Sequence, residues 1–435
     1  MGLLGGHFVD MFETRDEWFD LRMLPFILVW AIFAIVFLIW LFITLFVPNP
    51  RPPFPQEKQF TTVDKAGDVT DPEPLPCWYE DIIRRYAQAR REDPEREIEV
   101  EKDIAIEPAE VFMTLVVPAF NEEDRLSGML EEAVNFLETE YGSSKEDKST
   151  GLDTLAETAT TGDSPAPRKR KTKSKANGTP TQTPTSAPQP QGWEIILVDD
   201  GSTDYTLLTA QTFSRKHILP AHPRRDSGPW THRSPKGVTI PPGSIRMVSL
   251  LSNRGKGGAV VHGMRHARGQ YVLFADADGA SKFSDLSKLV SSIQSIEDES
   301  GRGIAVGSRA HLVGSEAVVK RSKLRNFLMH SFHLLLKFMT PPATARIADT
   351  QCGFKLFSRA SLPYIVPHMH MEGWIFDVEM LMLAEFSGIP VVEVPIGWRE
   401  VLGSKLNVVR DSIGMAWGLA LLRLCWGTGI YRKGA

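Results

Sequence analysis

From Leu24 to Val47 the chain runs for 24 residues without a charge, LPFILVWAIFAIVFLIWLFITLFV. A backbone placed in hydrocarbon must satisfy its own N–H and C=O groups, so a run of this kind is committed to a helix. At 1.5 Å per residue, Phe26 to Val47 reaches roughly 33 Å, enough to cover a bilayer core. A buried globular helix would keep a polar stripe, and this run has none. It is too long for a signal-peptide core and continues into PNPRPPFP rather than a small-residue cleavage site. The expectation is a short tail (1–23) followed by a retained single-pass anchor (24–47). Arg15 and Arg22 precede the run among five acidic residues, whereas Arg51, Lys58 and Lys65 follow it, a slight basic excess that predicts a cytosolic main domain.

The other segments read as one large soluble domain. A formal net charge of −4 argues against nucleic acid as a partner. Three scattered cysteines, Cys77, Cys352 and Cys425, supply neither a disulfide framework nor a zinc-ligand spacing. Residues 48–110 read as a Pro-rich spacer and a membrane-proximal helix over Trp78–Arg91, with Trp78, Ile82, Ile83 and Tyr86 on one face. From Val111 the pattern becomes that of buried strands, VFMTLVVPAF and WEIILVDD, separated by a helical stretch from Glu122 to about Glu140. SIRMVSL, QYVLFADAD, GRGIAVGSR and VVEVPIGWRE continue it, which predicts an α/β domain over 111–412 with a mostly parallel sheet. Two inserts interrupt it. Residues 142–191 are rich in Ser, Thr, Pro and Lys, include RKRKTKSK, and carry too few apolar groups to offset ordering entropy; the Asn177-Gly178-Thr179 sequon there is usable only on a lumenal domain. Residues 219–243 read as a surface loop. A basic, apolar-faced helix is expected over Lys323–Met339, and an apolar stretch with Trp417 and Trp426, more naturally interfacial than spanning given Arg423, closes the chain over 413–435.

Chemistry concentrates where strands end. YVLFADADGA places Asp276 and Asp278 where a buried strand leaves the sheet, the position at which open α/β sheets bind ligands. Two carboxylates at i, i+2 suit a hard divalent cation that also holds a diphosphate, although an Asp-rich turn bonding its own backbone has the same look. ILVDDGSTD brings Asp199 and Asp200 to a second strand end, where a carboxylate can accept hydrogen bonds from a nucleobase imide or a ribose hydroxyl; helix capping accounts for Asp204. In LVVPAFNEEDRL, Pro118 is expected to stop the strand and Asn121, Glu122 and Glu123 to start a helix. NRGKGGAV adds Arg254 and Lys256 around glycines that open a helix toward a phosphate, with a spacing that fits neither a P-loop nor a dinucleotide fingerprint.

VVPAFNEE, LVDDGSTD, NRGKGGAV and FADADGA, in that order, resemble the family 2 glycosyltransferases. DTQCGFKLF, WIFDVEML and VPIGWREVLGSKL resemble the eukaryotic branch of that family that glucosylates dolichyl phosphate. The resemblance covers about Val111 to Asp411 outside the inserts. It implies the GT-A fold, a Rossmann-like, mixed, mostly parallel sheet flanked by helices. It further implies UDP-glucose as donor, dolichyl phosphate as acceptor, Mg2+ or Mn2+ as cofactor, and an endoplasmic reticulum membrane location. The product would be the lipid-linked glucose donor for N-glycan precursor assembly. By the same resemblance Pro118, Phe120, Glu122, Asp199 and Asp200 line the uridine, and Asp276 and Asp278 hold metal and diphosphate. Ala280 stands where related mannosyltransferases place Gln, which removes a side-chain ligand.

A phosphate monoester has a second pKa of about 6 and is already anionic near neutral pH, so a displacement at the anomeric carbon needs charge management more than a strong base. The expected acceptor-phosphate cations are Arg309, Lys320, Arg321, Arg325 and Lys355, with Arg359 nearby, although each singly has the look of a surface cation. Asp349 and Asp377 join Asp278 as catalytic candidates in an orienting role; turn or helix capping explains either equally well. Cys352, His330 and His333 read as packing residues. A processive polysaccharide synthase is disfavoured by a missing QxxRW signature. A GDP-mannose-dependent mannosyltransferase or a non-catalytic nucleotide-sugar-binding protein stays open on composition alone.

Overall fold

A computed structural model describes residues 24–92, 105–142, 190–219, 228–230, 237–312, 331–332, 334–401 and 408–431. Two compact units comprise residues 1–49 and 50–435. In the first, Leu24–Phe46 form a helix. Its Pro25–Phe42 stretch has a mean hydropathy of 2.7, none of it is buried, and the helix is long and apolar enough to cross a membrane.

The second unit begins with a correction. Residues 50–76 are folded, not a free spacer. A turn over Pro55–Lys58 leads into β1 (Gln59–Phe60), which pairs antiparallel with β2 (Glu73–Pro74). Few residues here can join a ladder, because proline lacks the N–H. The segment instead buries Phe60, Val63 and Leu75, and Thr61 exchanges backbone hydrogen bonds of 2.9 and 2.8 Å with Met247. The helix that follows, Trp78–Glu92, buries Trp78 and Ile82, and the Trp78 indole donates to the Met264 carbonyl at 2.8 Å. Ile83, expected on the same face, is exposed; one residue further round an α-helix is a turn of about 100°.

The main sheet consists of β3 (Val111–Ala119), β4 (Trp193–Asp199), β5 (Ile245–Ser249), β6 (Gly269–Ala275), β7 (Ile304–Ser308), β8 (Phe354–Ser358) and β9 (Val391–Pro395), in the order β5-β4-β3-β6-β8-β7-β9. All neighbours are parallel except β8, which is antiparallel to both β6 and β7. The unbroken apolar runs reflect burial on both faces. Met113, Leu115 and Val117 join a cluster with Leu130, Val134 and Leu137 of helix Leu126–Tyr141. Val116, out of phase by one, meets Gly263 of helix Lys256–Met264 across the other face.

Two boundaries differ from the sequence expectation. β3 continues through Pro118 to Ala119. Pairing with β6 has ended at Val116, so Pro118 has a sheet neighbour only in β4, where its missing donor disturbs no second ladder. The next helix begins at Leu126, not Glu122. Asn121 adopts φ 55°, and its Oδ1 accepts the Thr203 N–H at 2.7 Å, so these residues form a tied loop.

The 142–191 insert falls almost wholly outside the described residues, as do Lys320, Arg321, Arg325, His330 and His333. Of the Lys323–Met339 stretch, residues 331–332 and 334–339 are helical. The C-terminal helix spans Val408–Gly427, starting earlier than expected. Leu419, Leu422 and Cys425 are buried, whereas Ile413 and Trp417 are exposed.

A methyl group on Gly263 would lie 2.5 Å from Val116 Cγ1 and 3.1 Å from Val198 Cγ2, both on stiff β-branched side chains. Gly263→Ala is therefore expected to destabilise the domain by about 1–3 kcal/mol, measured as a lowered denaturation midpoint with unchanged far-UV circular dichroism.

Candidate active site

The strand order reverses between β3 and β6, and in doubly wound sheets ligands bind beyond the carboxyl ends of strands at such a switch point. The loops leaving β3, β4, β5 and β6 all open on that edge. Because β8 runs the other way, its beginning lies there too: Phe354 pairs with Ala275, which puts Cys352-Gly353 beside Asp276.

Asp276 and Asp278 form the centre. The Lys256 ammonium sits 2.6 Å from Asp276 Oδ1, and Asp276 donates its backbone N–H to the Gly353 carbonyl at 3.1 Å. A Cβ on Gly353 would come within 2.0 Å of Asp276 Oδ2, so this carboxylate lies against bare backbone. Asp278 Oδ1 accepts the Ala280 N–H at 2.9 Å, and its Oδ2 is 4.0 Å from Arg125 Nη1. Burial, then the neighbouring Asp276 charge, pushes the Asp278 carboxyl above the ordinary carboxylate range. Burial works against a charged Lys256, but Asp276 and Asp377 hold its ammonium above the ordinary lysine value.

Beneath this pair lies another. Lys355 is fully buried; its ammonium contacts Asp377 and donates to the Cys352 carbonyl at 2.7 Å. Lys355, expected at the acceptor phosphate, is thus unavailable to it. Its place in β8, between Phe274 and Val306, takes the side chain into the protein. Asp377 is 2% exposed and meets Lys355 inside the protein; burial raises its carboxyl despite Lys355. Cys352 is buried with its thiol pushed up to about 12 by burial, consistent with packing.

Arg309 and Asp349 form a two-pronged pair, Nε to Oδ2 at 2.7 Å and Nη2 to Oδ1 at 2.8 Å, with the Arg309 N–H also on Oδ2 at 2.9 Å. Burial opposes the Asp349 charge, but Arg309 holds the carboxyl below its usual range, which makes Asp349 a poor base and an anchor for Arg309. Arg359 donates to the Glu107 and Ala267 carbonyls at the end of β8, the opposite rim of the sheet, and so lies away from the site.

The residues expected at the nucleotide are held by the loops around them. Asp200 accepts the N–H groups of Arg254 at 2.7 Å and Gly255 at 2.9 Å; burial nevertheless pushes its carboxyl up to about 7. Asp199 accepts the Ser202 N–H at 3.2 Å, and burial raises it too. The Arg254 guanidinium donates to Glu372 Oε1 (2.7 Å from Nε) and to the Arg51 carbonyl at 2.9 Å. The glycines after it allow close packing. Gly258 donates to the Glu372 carbonyl, and a Cβ on Gly257 would lie 2.5 Å from Phe376 Cβ. On the β3 loop, Phe120 is 37% exposed and Glu122 Oε1 accepts from Arg125 Nη2 at 2.6 Å.

Arg125, Glu372 and Gly353 were not singled out from sequence. Arg125 and Gly353 lie inside quoted motifs, but their roles depend on contacts across the sheet; Glu372 had no local signal.

This edge, with acids on consecutive strand ends, has the form of a nucleotide-sugar transferase site. The sequence profile described as "Glycosyl transferase family 2" matches residues 237–362. The dolichyl-phosphate beta-glucosyltransferase of Saccharomyces cerevisiae is 35% identical over 405 residues, 92% of each chain. The human protein of that name is 33% identical over 321 residues, 74% of this chain and 77% of that one. Among solved structures, glucosyl-3-phosphoglycerate synthase from Mycobacterium tuberculosis, in complex with Mn2+, UDP and glucosyl-3-phosphoglycerate, matches at 14% identity and a TM-score of 0.39, over 72% of this chain and 80% of that one. The chain is a family 2 glycosyltransferase. Within that class it belongs to the dolichyl-phosphate beta-glucosyltransferase family.

Gly353→Ala must displace the Asp276 carboxylate by more than an ångström. Its glycosyl transfer is expected to fall about a hundredfold while the melting temperature moves by only a few degrees, a combination read by paired activity and thermal-shift assays.

Proposed function

We propose that this chain transfers glucose from UDP-glucose to dolichyl phosphate with inversion, giving dolichyl β-D-glucosyl phosphate, at the cytosolic face of the endoplasmic reticulum membrane. The observation that carries this reading is the gathering of the β3, β4, β5 and β6 loops, with Asp276, Asp278 and Lys256, on one sheet edge in a chain that matches the yeast dolichyl-phosphate beta-glucosyltransferase over 92% of both lengths. The apolar helix Leu24–Phe46 supports attachment to the membrane in which such an acceptor resides.

Pro118, Phe120 and Glu122 form the wall assigned to the nucleoside, which Asp199 and Asp200 shape by holding the loops beside it. Asp276 and Asp278 are assigned to Mg2+ or Mn2+. The donor set fits: both residues offer hard carboxylate oxygens, two positions apart at the end of β6. Mg2+ is commonly held by one or two carboxylates, with substrate phosphates and water completing its shell. When bound, the cation would neutralise the leaving diphosphate.

Lys256 places a second positive charge at the same point and keeps Asp276 oriented through their 2.6 Å contact. An acceptor phosphate that is already anionic attacks the anomeric carbon directly as the bond to the diphosphate breaks, so no residue need remove a proton. Arg309, fixed by Asp349, is the described cation assigned to the approach of that anion, together with Lys320, Arg321 and Arg325 outside the described residues. Asp278 completes the metal site.

Membranes containing the full chain, given dolichyl phosphate with labelled UDP-glucose or GDP-mannose, are expected to transfer label to lipid from UDP-glucose alone. Label entering only from GDP-mannose overturns the assignment. In the same assay Asp278→Asn is expected to lose at least about a hundredfold in turnover; a non-catalytic binder would show no turnover to lose.

A further inference from the structure

Glu57 lies in the segment between the apolar helix and the first strand of the main sheet, where no catalytic motif falls. It is nevertheless fully buried. A buried carboxylate needs several donors, and this one has four. Arg51 clasps it with Nη2 on Oε1 at 2.6 Å and Nη1 on Oε2 at 2.8 Å. The Phe54 N–H reaches Oε2 at 2.8 Å, and the Leu251 N–H reaches Oε1 at 2.9 Å. Burial alone would raise this carboxyl, but Arg51 and the two N–H groups bring it down to about 2, so it stays charged throughout the working pH range.

Leu251 ties Glu57 to chemistry. It belongs to the loop that leaves β5 and carries Arg254 and Gly255, whose N–H groups hold Asp200. The loop is gripped at two places, by Asp200 and by Glu57. Arg51 reinforces the second grip: its Nη2 is 3.3 Å from Ser252 Oγ, and its carbonyl accepts Arg254 Nη2 at 2.9 Å. Arg254 in turn binds Glu372, whose carbonyl accepts Gly258 N–H in the helix that begins with Lys256.

We propose that Glu57, clasped by Arg51, is a positioning residue for the donor nucleotide: it fixes the Leu251–Gly255 loop and through it the Asp200 carboxylate beside the nucleoside wall. The proposal rests on reading this edge as the UDP-glucose site. A group acting only through that loop alters donor binding and leaves the acceptor side alone. A group serving only general stability changes how much enzyme is folded, which lowers apparent kcat and leaves dissociation constants where they were.

The test uses the full chain in detergent, titrated with UDP in the presence of Mn2+ by calorimetry and assayed for transfer to dolichyl phosphate. For Glu57→Gln, the UDP dissociation constant and the donor KM are expected to rise about tenfold, with kcat within about twofold and the dolichyl phosphate KM unchanged. Arg51→Met, at a part-exposed position, removes the clasp without touching the buried carboxylate and is expected to show the same split in weaker form; it decides the matter if Glu57→Gln does not fold. Unchanged UDP affinity in a folded variant, or an equal rise in both KM values, overturns the proposal. Wild-type protein that neither binds UDP nor uses UDP-glucose overturns the donor reading itself, a distinct result.

Discussion

The site depends on keeping like charges close together. Asp276 and Asp278 are two residues apart at the end of one strand, in a half-buried setting where their repulsion is only partly screened. Lys256 makes the arrangement tenable by sitting against Asp276 and under the influence of Asp377, which is in turn neutralised by Lys355. Acid and base alternate from the interior outward, so each carboxylate has a cation partner before any substrate arrives. Burying a lone ion would cost several kcal/mol; a sequence of pairs avoids that penalty and leaves the outermost acids facing the edge where a cation and a diphosphate would be received.

Similar pairing orders the residues around these acids. Asp200 fixes the β5 loop through the Arg254 and Gly255 N–H groups, and Asp349 clasps Arg309 at the end of β7. Arg309 is braced from below by Asp349, a familiar way of presenting a guanidinium to an anion, since a fixed fork loses less freedom on binding. Glycine contributes by absence: Gly353 makes room for a carboxylate, and Gly257 lets the Lys256 helix close on Phe376.

Much of the fold was legible because its signals are local. Apolar runs such as WEIILVD and QYVLFA mark strands buried on both faces, and their acidic ends mark the working edge. Misreadings occurred where a residue's role is set by a distant partner. Lys355 resembles a surface cation in the string GFKLFSR until its neighbours Phe274 and Val306 show which way it faces. Proline in PNPRPPFP signals a spacer, yet Phe60, Val63 and Leu75 are enough to fold the segment that follows. Gly353 carries no mark of its own; its value lies in what stands opposite.

The reversed direction of β8 has a consequence for how the domain tolerates change. In a wholly parallel sheet only outgoing loops reach the functional rim, and each can lengthen without shifting the others. Here an incoming segment, Thr350–Gly353, also reaches that rim, pinned from behind by the register of Phe354 with Ala275. Extra residues spliced in just before β8 would push against the acids directly, whereas the same residues spliced in after Ser358 would emerge at the far rim. Natural length variation in this part of the chain should therefore be sharply one-sided about that strand.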